Sequence, residues 1–148
     1  MDTIELDDVL SSVSGFIGAF ACDQLPPKPK KDFSVVINTD PSNLPGAHWL
    51  TVIRKNSVLY FIDSYGRHYK DATFDPIFVK TILKYIGKEK VVCSNKWLQQ
   101  LTSNTCGYYC VYFIKELLGN SLKRCLSVFG DDLKVNDDYV LNYVKNIN

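Results

Sequence analysis

Apolar residues near the start of the chain, Ile4, Leu6, Val9, Leu10 and Val13, recur at helical spacing, with Asp7 and Asp8 turned outward. This predicts a helix over residues 3–14, capped by Thr3 and ended by Gly15. The texture changes at Gly15-Phe16-Ile17-Gly18-Ala19-Phe20, and an exposed loop rich in proline and lysine follows at 25–31. Ser34-Val35-Val36-Ile37-Asn38 reads as a buried strand closed by an Asp40-Pro41-Ser42-Asn43 turn. Two more strands are expected at 48–54 and 58–64, joined by Lys55-Asn56-Ser57. Asp75-Pro76 opens a second helix, with Ile77, Phe78, Ile82, Leu83 and Ile86 along its apolar side and Gly87 as its stop. A short strand at 90–93, an apolar helix at 106–118 and two amphipathic helices near 121–129 and 136–147 complete the pattern. Strands gather in the centre and helices towards the ends. The expected class is therefore α+β, with a small central, largely antiparallel sheet flanked by helices.

A chain of 148 residues that is 46% hydrophobic and 13% aromatic suits a single domain over 1–148 with one core. No apolar run approaches the ~20 residues needed to span a bilayer, so no membrane partner is expected. The start, Met1-Asp2-Thr3-Ile4-Glu5, is acidic and unlike a secretory leader. Five cysteines, an odd count, then point to reduced thiols and an intracellular, non-secreted protein. A net charge of +1 gives no general pull towards nucleic acid. The lysines of the 25–31 loop read as a solvated linker rather than a nucleic-acid patch. No C-x-x-C pair is present, and no metal site is expected.

Candidate chemistry is concentrated in Gln99-Gln100-Leu101-Thr102-Ser103-Asn104-Thr105-Cys106-Gly107. Cys106 falls at the expected first turn of an apolar helix, where the helix dipole and unpaired N–H groups favour a thiolate. An amide side chain stands upstream, and the Cys106 N–H can point at a developing oxyanion. Gly107 leaves room for a substrate backbone. Gly46-Ala47-His48-Trp49 supplies a base and Phe61-Ile62-Asp63-Ser64 a carboxylate. A Lys55-Asn56 turn sets His48 opposite Asp63 on one face of the hairpin, close enough for the carboxylate to orient the imidazole. A three-residue turn would instead move Asp63 opposite Trp49.

Taken singly, each residue has a plainer explanation. His48 could be a strand-end histidine satisfied by backbone, Asp63 a turn cap, Gln99 a surface amide and Cys106 a small core residue. Together they form the Cys–His–Asp constellation with an amide donor that thiol hydrolysis requires. Cys110 lies one turn further into the helix, outside the N-terminal field, and is expected to be inert.

At these residues the chain resembles the adenovirus-type cysteine proteases (adenain) and the related enzymes of Polinton/Maverick elements and large DNA viruses. These share a clan with the proteases that remove SUMO and other ubiquitin-like modifiers. The matching words are Gly15-Phe16-Ile17-Gly18-Ala19-Phe20 with Asp23-Gln24-Leu25-Pro26, then Val36-Ile37-Asn38-Thr39-Asp40 and Pro45-Gly46-Ala47-His48-Trp49. Phe61-Ile62-Asp63-Ser64-Tyr65-Gly66 and the run from Leu98-Gln99 to Cys106-Gly107-Tyr108-Tyr109-Cys110 follow. The order His, acid, Gln, Cys is that of this clan, whereas papain-like enzymes place the cysteine first.

The resemblance implies a papain-like, adenain-type core, with His48 as general base, Asp63 as its orienting carboxylate, Cys106 as nucleophile and a glutamine as oxyanion donor. Asp63 stands where adenovirus enzymes carry Glu and the deconjugating branch carries Asp. Gln99 has the adenovirus spacing to Cys106 and Gln100 that of the deconjugating branch; the expected donor is Gln99. The implied activity is a monomeric endopeptidase that cuts viral or transposon capsid and core precursors in the host nucleus or cytoplasm, or in the virion. No cofactor is expected to be required, although activation by a peptide or DNA follows from the resemblance. A peptide held at Cys93 is one form of it, and a buried strand cysteine is the plainer reading. Two other readings are an isopeptidase for ubiquitin-like modifiers and a non-catalytic binding module on the same fold.

Overall fold

A computed structural model describes residues 1–147; Asn148, the last residue of the expected domain, lies outside the described residues. Helix α1 (Thr3–Leu10) is shorter than the periodicity suggests. Its cap is Asp2, not Thr3: the Asp2 carboxylate accepts from the Glu5 N–H while Glu5 reaches back to the Asp2 N–H. This reciprocal box satisfies two otherwise orphaned donors. The glycine-rich stretch that follows is strand β1 (Phe16–Ala21), with Gly18 at a positive φ of 126°.

Strands β2 (Phe33–Asn38), β3 (Trp49–Lys55), β4 (Val58–Ile62) and β5 (Lys90–Cys93) complete a five-stranded sheet in sequential order. The central pairs β2–β3 and β3–β4 are antiparallel, and the outer strands β1 and β5 pair parallel to their neighbours. The sheet is therefore mixed within the expected α+β class. A hairpin is visible in local sequence, but the crossovers that deliver the parallel edges are not.

Alternation along the strands sends side chains to two cores. Val36, Ile53 and Ile62 face the side covered by α1, α3 (Cys106–Glu116), α4 (Leu122–Leu126) and α5 (Leu133–Asn146). Val35, Ile37, Leu50, Val52, Leu59 and Phe61 face α2 (Pro76–Ile86), capped by Asp75 with Pro76 in its first turn. Helix α3 is buried on nearly all sides, as its uniformly apolar sequence requires. Carbonyls just past its C-terminus are met by Lys55, whose ammonium donates to Leu117 O at 2.6 Å and Asn120 O at 2.9 Å. In the 25–31 loop, Lys28 is tied down by an ion pair to Glu89 and a hydrogen bond to Ile86 O. No described helix is long and apolar enough to cross a membrane.

Candidate active site

Three segments converge at one end of the sheet: the start of β3, the end of β4 and the N-terminus of α3. The hairpin turns at Asn56-Ser57, both at positive φ as a two-residue turn demands, rather than at Lys55-Asn56. Lys55 thus pairs with Val58 and Thr51 with Ile62, a register that continues to bring Tyr65, not Asp63, opposite His48. The Tyr65 ring lies on the imidazole, with centroids 4.7 Å apart and an interplanar angle of 21°. Asp63 reaches His48 diagonally, and its Oδ1 accepts from Nε2 at 2.7 Å. The expected contact exists by a different route.

Asp63 is fully buried, and among the described residues its carboxylate is met by N–H groups of His48, Tyr65 and Arg67. Oδ1 also accepts from the Tyr65 N–H at 3.2 Å, while Oδ2 accepts from Arg67 Nε at 2.6 Å and the Arg67 N–H at 3.3 Å. The turn-cap and histidine-orienting roles therefore coexist in one side chain. Burial alone would raise the carboxyl's pKa, but the bonds and charges of His48 and Arg67 outweigh it and hold it below the usual range. Arg67 is braced in turn, its guanidinium 4.1 Å from the centre of the Phe74 ring. In the sequence Arg67 carries one local signal, its position four residues after Asp63 in an irregular loop.

Cys106 opens α3 as expected, almost wholly buried. With Nε2 committed to Asp63, the other ring nitrogen of His48 is left for the sulfur, and imidazole and thiol each shift the other's titration. The Trp49 N–H donates to Sγ at 3.4 Å. Burial opposes a thiolate here, yet the hydrogen bond and charge of His48, with the Trp49 and Gly107 amides, lower the thiol's pKa below 9.0. Burial likewise opposes an imidazolium, but Asp63 and Cys106 raise His48 above 6.5. The two shifts favour the same charge-separated pair. Cys110 is the contrast, since burial pushes its thiol well above the ordinary value.

Gln99 is buried between the end of β4 and the approach to α3. Its Oε1 accepts from Ser64 Oγ at 2.6 Å and its Nε2 donates to Ser103 O at 3.0 Å, which leaves one amide hydrogen uncommitted. The loop is pinned by Leu98 and Gln99 N–H bonds to Ser64 O and by Trp97 Nε1 to Gln99 O. Gln100 turns the other way, its Nε2 donating to Asp137 Oδ2 at 3.0 Å. Gly66 at φ +74° permits this crossing, since a Cβ there would come within 2.7 Å of Lys96 C.

One expectation changes in detail. A Cβ on Gly107 would meet Met1 and Leu6 at 3.1 and 3.6 Å, so its bare face packs against α1 rather than receiving a substrate backbone. Asn38 organises the entry to His48, with Oδ1 accepting the Asp40 and Ala47 N–H groups. That long-range role was not legible in the Val36–Asp40 stretch.

The chain is 24% identical to a protease of bovine adenovirus 7 over 163 aligned residues, covering 92% of this chain and 80% of the viral one. In fold it is similar to a protease of ASFV known from a crystal structure, with 21% identity and a TM-score of 0.47. That likeness covers 76% of this chain, which spans less than half of the ASFV protein, 44%. No protein-family model matches. The adenoviral relative bears out the resemblance read from the motifs and supports a cysteine protease of the adenain or deconjugase kind, acting on polypeptides.

Proposed function

We propose that the chain is an adenain-type endopeptidase in which Cys106 attacks the scissile carbonyl, His48 takes the thiol proton and Asp63 orients His48. The observation that carries this reading is the linked set of Asp63, His48 and Cys106 at the head of a buried helix, with a 2.7 Å bond at one end and a thiol favoured as thiolate at the other. The free hydrogen of Gln99 and the Cys106 N–H hold the oxyanion. His48 then protonates the leaving amine, and water releases the acyl group from sulfur. The substrates are capsid or core precursors of a virus or related element, cut in the infected cell or in the particle. Neither peptide nor DNA is required for the chemistry.

Digestion of a peptide library alongside ubiquitin-like proteins fused through Gly-Gly, each with and without DNA, tests this reading. Cleavage of library peptides at a recurring sequence, unaffected by DNA, is expected. Cleavage confined to the Gly-Gly fusions would make the enzyme a deconjugase, and no cleavage of either would make the fold a binding module. Gln99→Ala is expected to lower kcat about 10²–10³-fold with little change in thermal stability. Gln100→Ala should lose far less; the reverse ranking would transfer the oxyanion role to Gln100.

A further inference from the structure

The first turn of α3 lacks the cap its sequence offers. Thr105 precedes Cys106, and a threonine there ordinarily accepts a hydrogen bond from the second or third N–H of the helix. Here its hydroxyl makes no such bond, and its backbone sits at φ −87°, ψ 3° instead of the extended conformation of a capping residue. The hydroxyl instead donates to Asp137 Oδ1 at 3.0 Å. Asp137 is buried as the fifth residue of α5, far from His48 and Cys106 in sequence. Its Oδ1 also accepts from Tyr109 OH at 2.7 Å, and its Oδ2 from Gln100 Nε2 at 3.0 Å and Gln100 N at 3.4 Å. No cation pairs with it among the described residues. The neighbouring Asn136 extends the tie, donating to Leu98 O at 3.1 Å.

The consequence falls on the reacting atoms. Tyr108 N–H is already bonded to Thr105 O at 2.9 Å, so the N–H a Thr105 cap would claim is that of Gly107, one of the groups that lower the Cys106 thiol. The Cys106 N–H has no backbone acceptor among the described residues. Holding Gln100 by two donors also leaves its neighbour Gln99 to turn towards Ser64 and Ser103.

We propose that Asp137 is a positioning residue for the nucleophile: by holding the Thr105 hydroxyl away from α3 and Gln100 away from the site, it keeps the helix's first N–H groups and the Gln99 amide free for chemistry. The inference rests on the assignment of Cys106 as nucleophile. It predicts an unusual rescue. In Asp137→Asn the single amide oxygen goes to Gln100, whose two groups there can only donate, and the amide N–H₂ faces the Thr105 and Tyr109 hydroxyls, so Thr105 no longer donates there and its hold loosens. Thr105 then caps α3 and takes the Gly107 N–H from the sulfur. Removing the hydroxyl as well, in Asp137→Asn/Thr105→Val, returns that N–H.

Two readouts test this: kcat on a cleaved library peptide, and the pH dependence of Cys106 alkylation by iodoacetamide, read by mass spectrometry. The titratable and charged groups around the sulfur are His48, Asp63, Tyr65 and Cys110, with Arg67 behind Asp63, and none of them is altered. Asp137→Asn is expected to lower kcat about tenfold or more, with KM within about threefold, and to move Cys106 alkylation to higher pH. Loss of a nearby negative charge by itself would move it to lower pH. The double variant should return both readouts to within about threefold of Thr105→Val alone. Multiplicative losses in the double variant, or an alkylation profile that stays put or moves down in Asp137→Asn, would overturn the proposal. If Asp137→Asn does not fold, Thr105→Val decides: retention within about threefold of the native chain supports an uncapping role, and a tenfold loss overturns it. Alkylation needs no substrate, so a native chain that cleaves nothing defeats the proteolytic reading while leaving this one decided by the thiol.

Discussion

Cys106→Ala is expected to abolish peptide cleavage while the chain stays folded. The side chain is small, and its loss leaves the aromatic and aliphatic packing of α3 in place. Removing the nucleophile of a comparable hydrolase costs about 10⁶ in kcat, so no turnover should be measurable in a routine assay. Cys110→Ala is the paired control. Its thiol is completely enclosed and held protonated by burial, and it is bonded to no other member of the site. That variant should lose some stability, about 1 kcal/mol for a small core truncation, and keep substantial activity. Circular dichroism and kcat on the same samples separate the two effects, and equal loss of activity from both would defeat the assignment of Cys106.

The second large effect concerns His48 and Asp63 as a unit. His48→Ala removes the only base beside the sulfur among the described residues and should approach Cys106→Ala in severity. Asp63→Asn is subtler, because all four bonds to this carboxylate come from donors. An amide can offer its single oxygen to His48 and Tyr65 or to Arg67, not to both. The charged guanidinium claims the oxygen, and the amide N–H₂ then faces His48. That forces the imidazole proton onto the nitrogen beside the sulfur, the wrong tautomer for a base. A loss of up to about 10⁴ in kcat follows the precedent of serine proteases. The double variant should be little worse than His48→Ala alone, since Asp63 acts through His48. The pH profile supplies a second check. His48 is raised above its ordinary value and Cys106 lowered below its own, and both shifts favour the charge-separated pair. Without the Asp63 charge, the imidazolium is lost at lower pH and the thiolate forms only at higher pH, so the active window narrows from both sides. An unchanged window, or fully multiplicative losses in the double variant, would mean that Asp63 does not act through His48.

The legible part of this protein lies where chemistry is local. Cys106 at a helix start, Asp75-Pro76 ahead of α2 and Gly87 behind it are short-range signals, and the elements begin or end at those residues. The hairpin was legible as a hairpin, but its register was not. Asn56 and Ser57 both adopt positive φ without a glycine, so the turn sits one residue later than composition suggests. The His48–Asp63 contact survives because a diagonal neighbour is within reach of a long side chain. Arg67 and Asp137 were not legible in kind. An arginine in an irregular loop and an aspartate in an amphipathic helix look like solvated charge until tertiary packing buries their partners. Strand β1 was hidden by its glycines, and its parallel pairing depends on a crossover through α2's side of the sheet, which no local pattern encodes.

The central claim is that one cysteine of five is a poised thiolate held by His48, and limiting alkylation tests it most directly. One molar equivalent of iodoacetamide near neutral pH, followed by site mapping by mass spectrometry and an activity assay on the same sample, gives label and function together. The account predicts label on Cys106, activity falling in proportion to it, and loss of that selectivity in His48→Ala. Label spread over Cys93 and the other thiols with cleavage retained, or Cys106 labelled just as fast in His48→Ala, would contradict it.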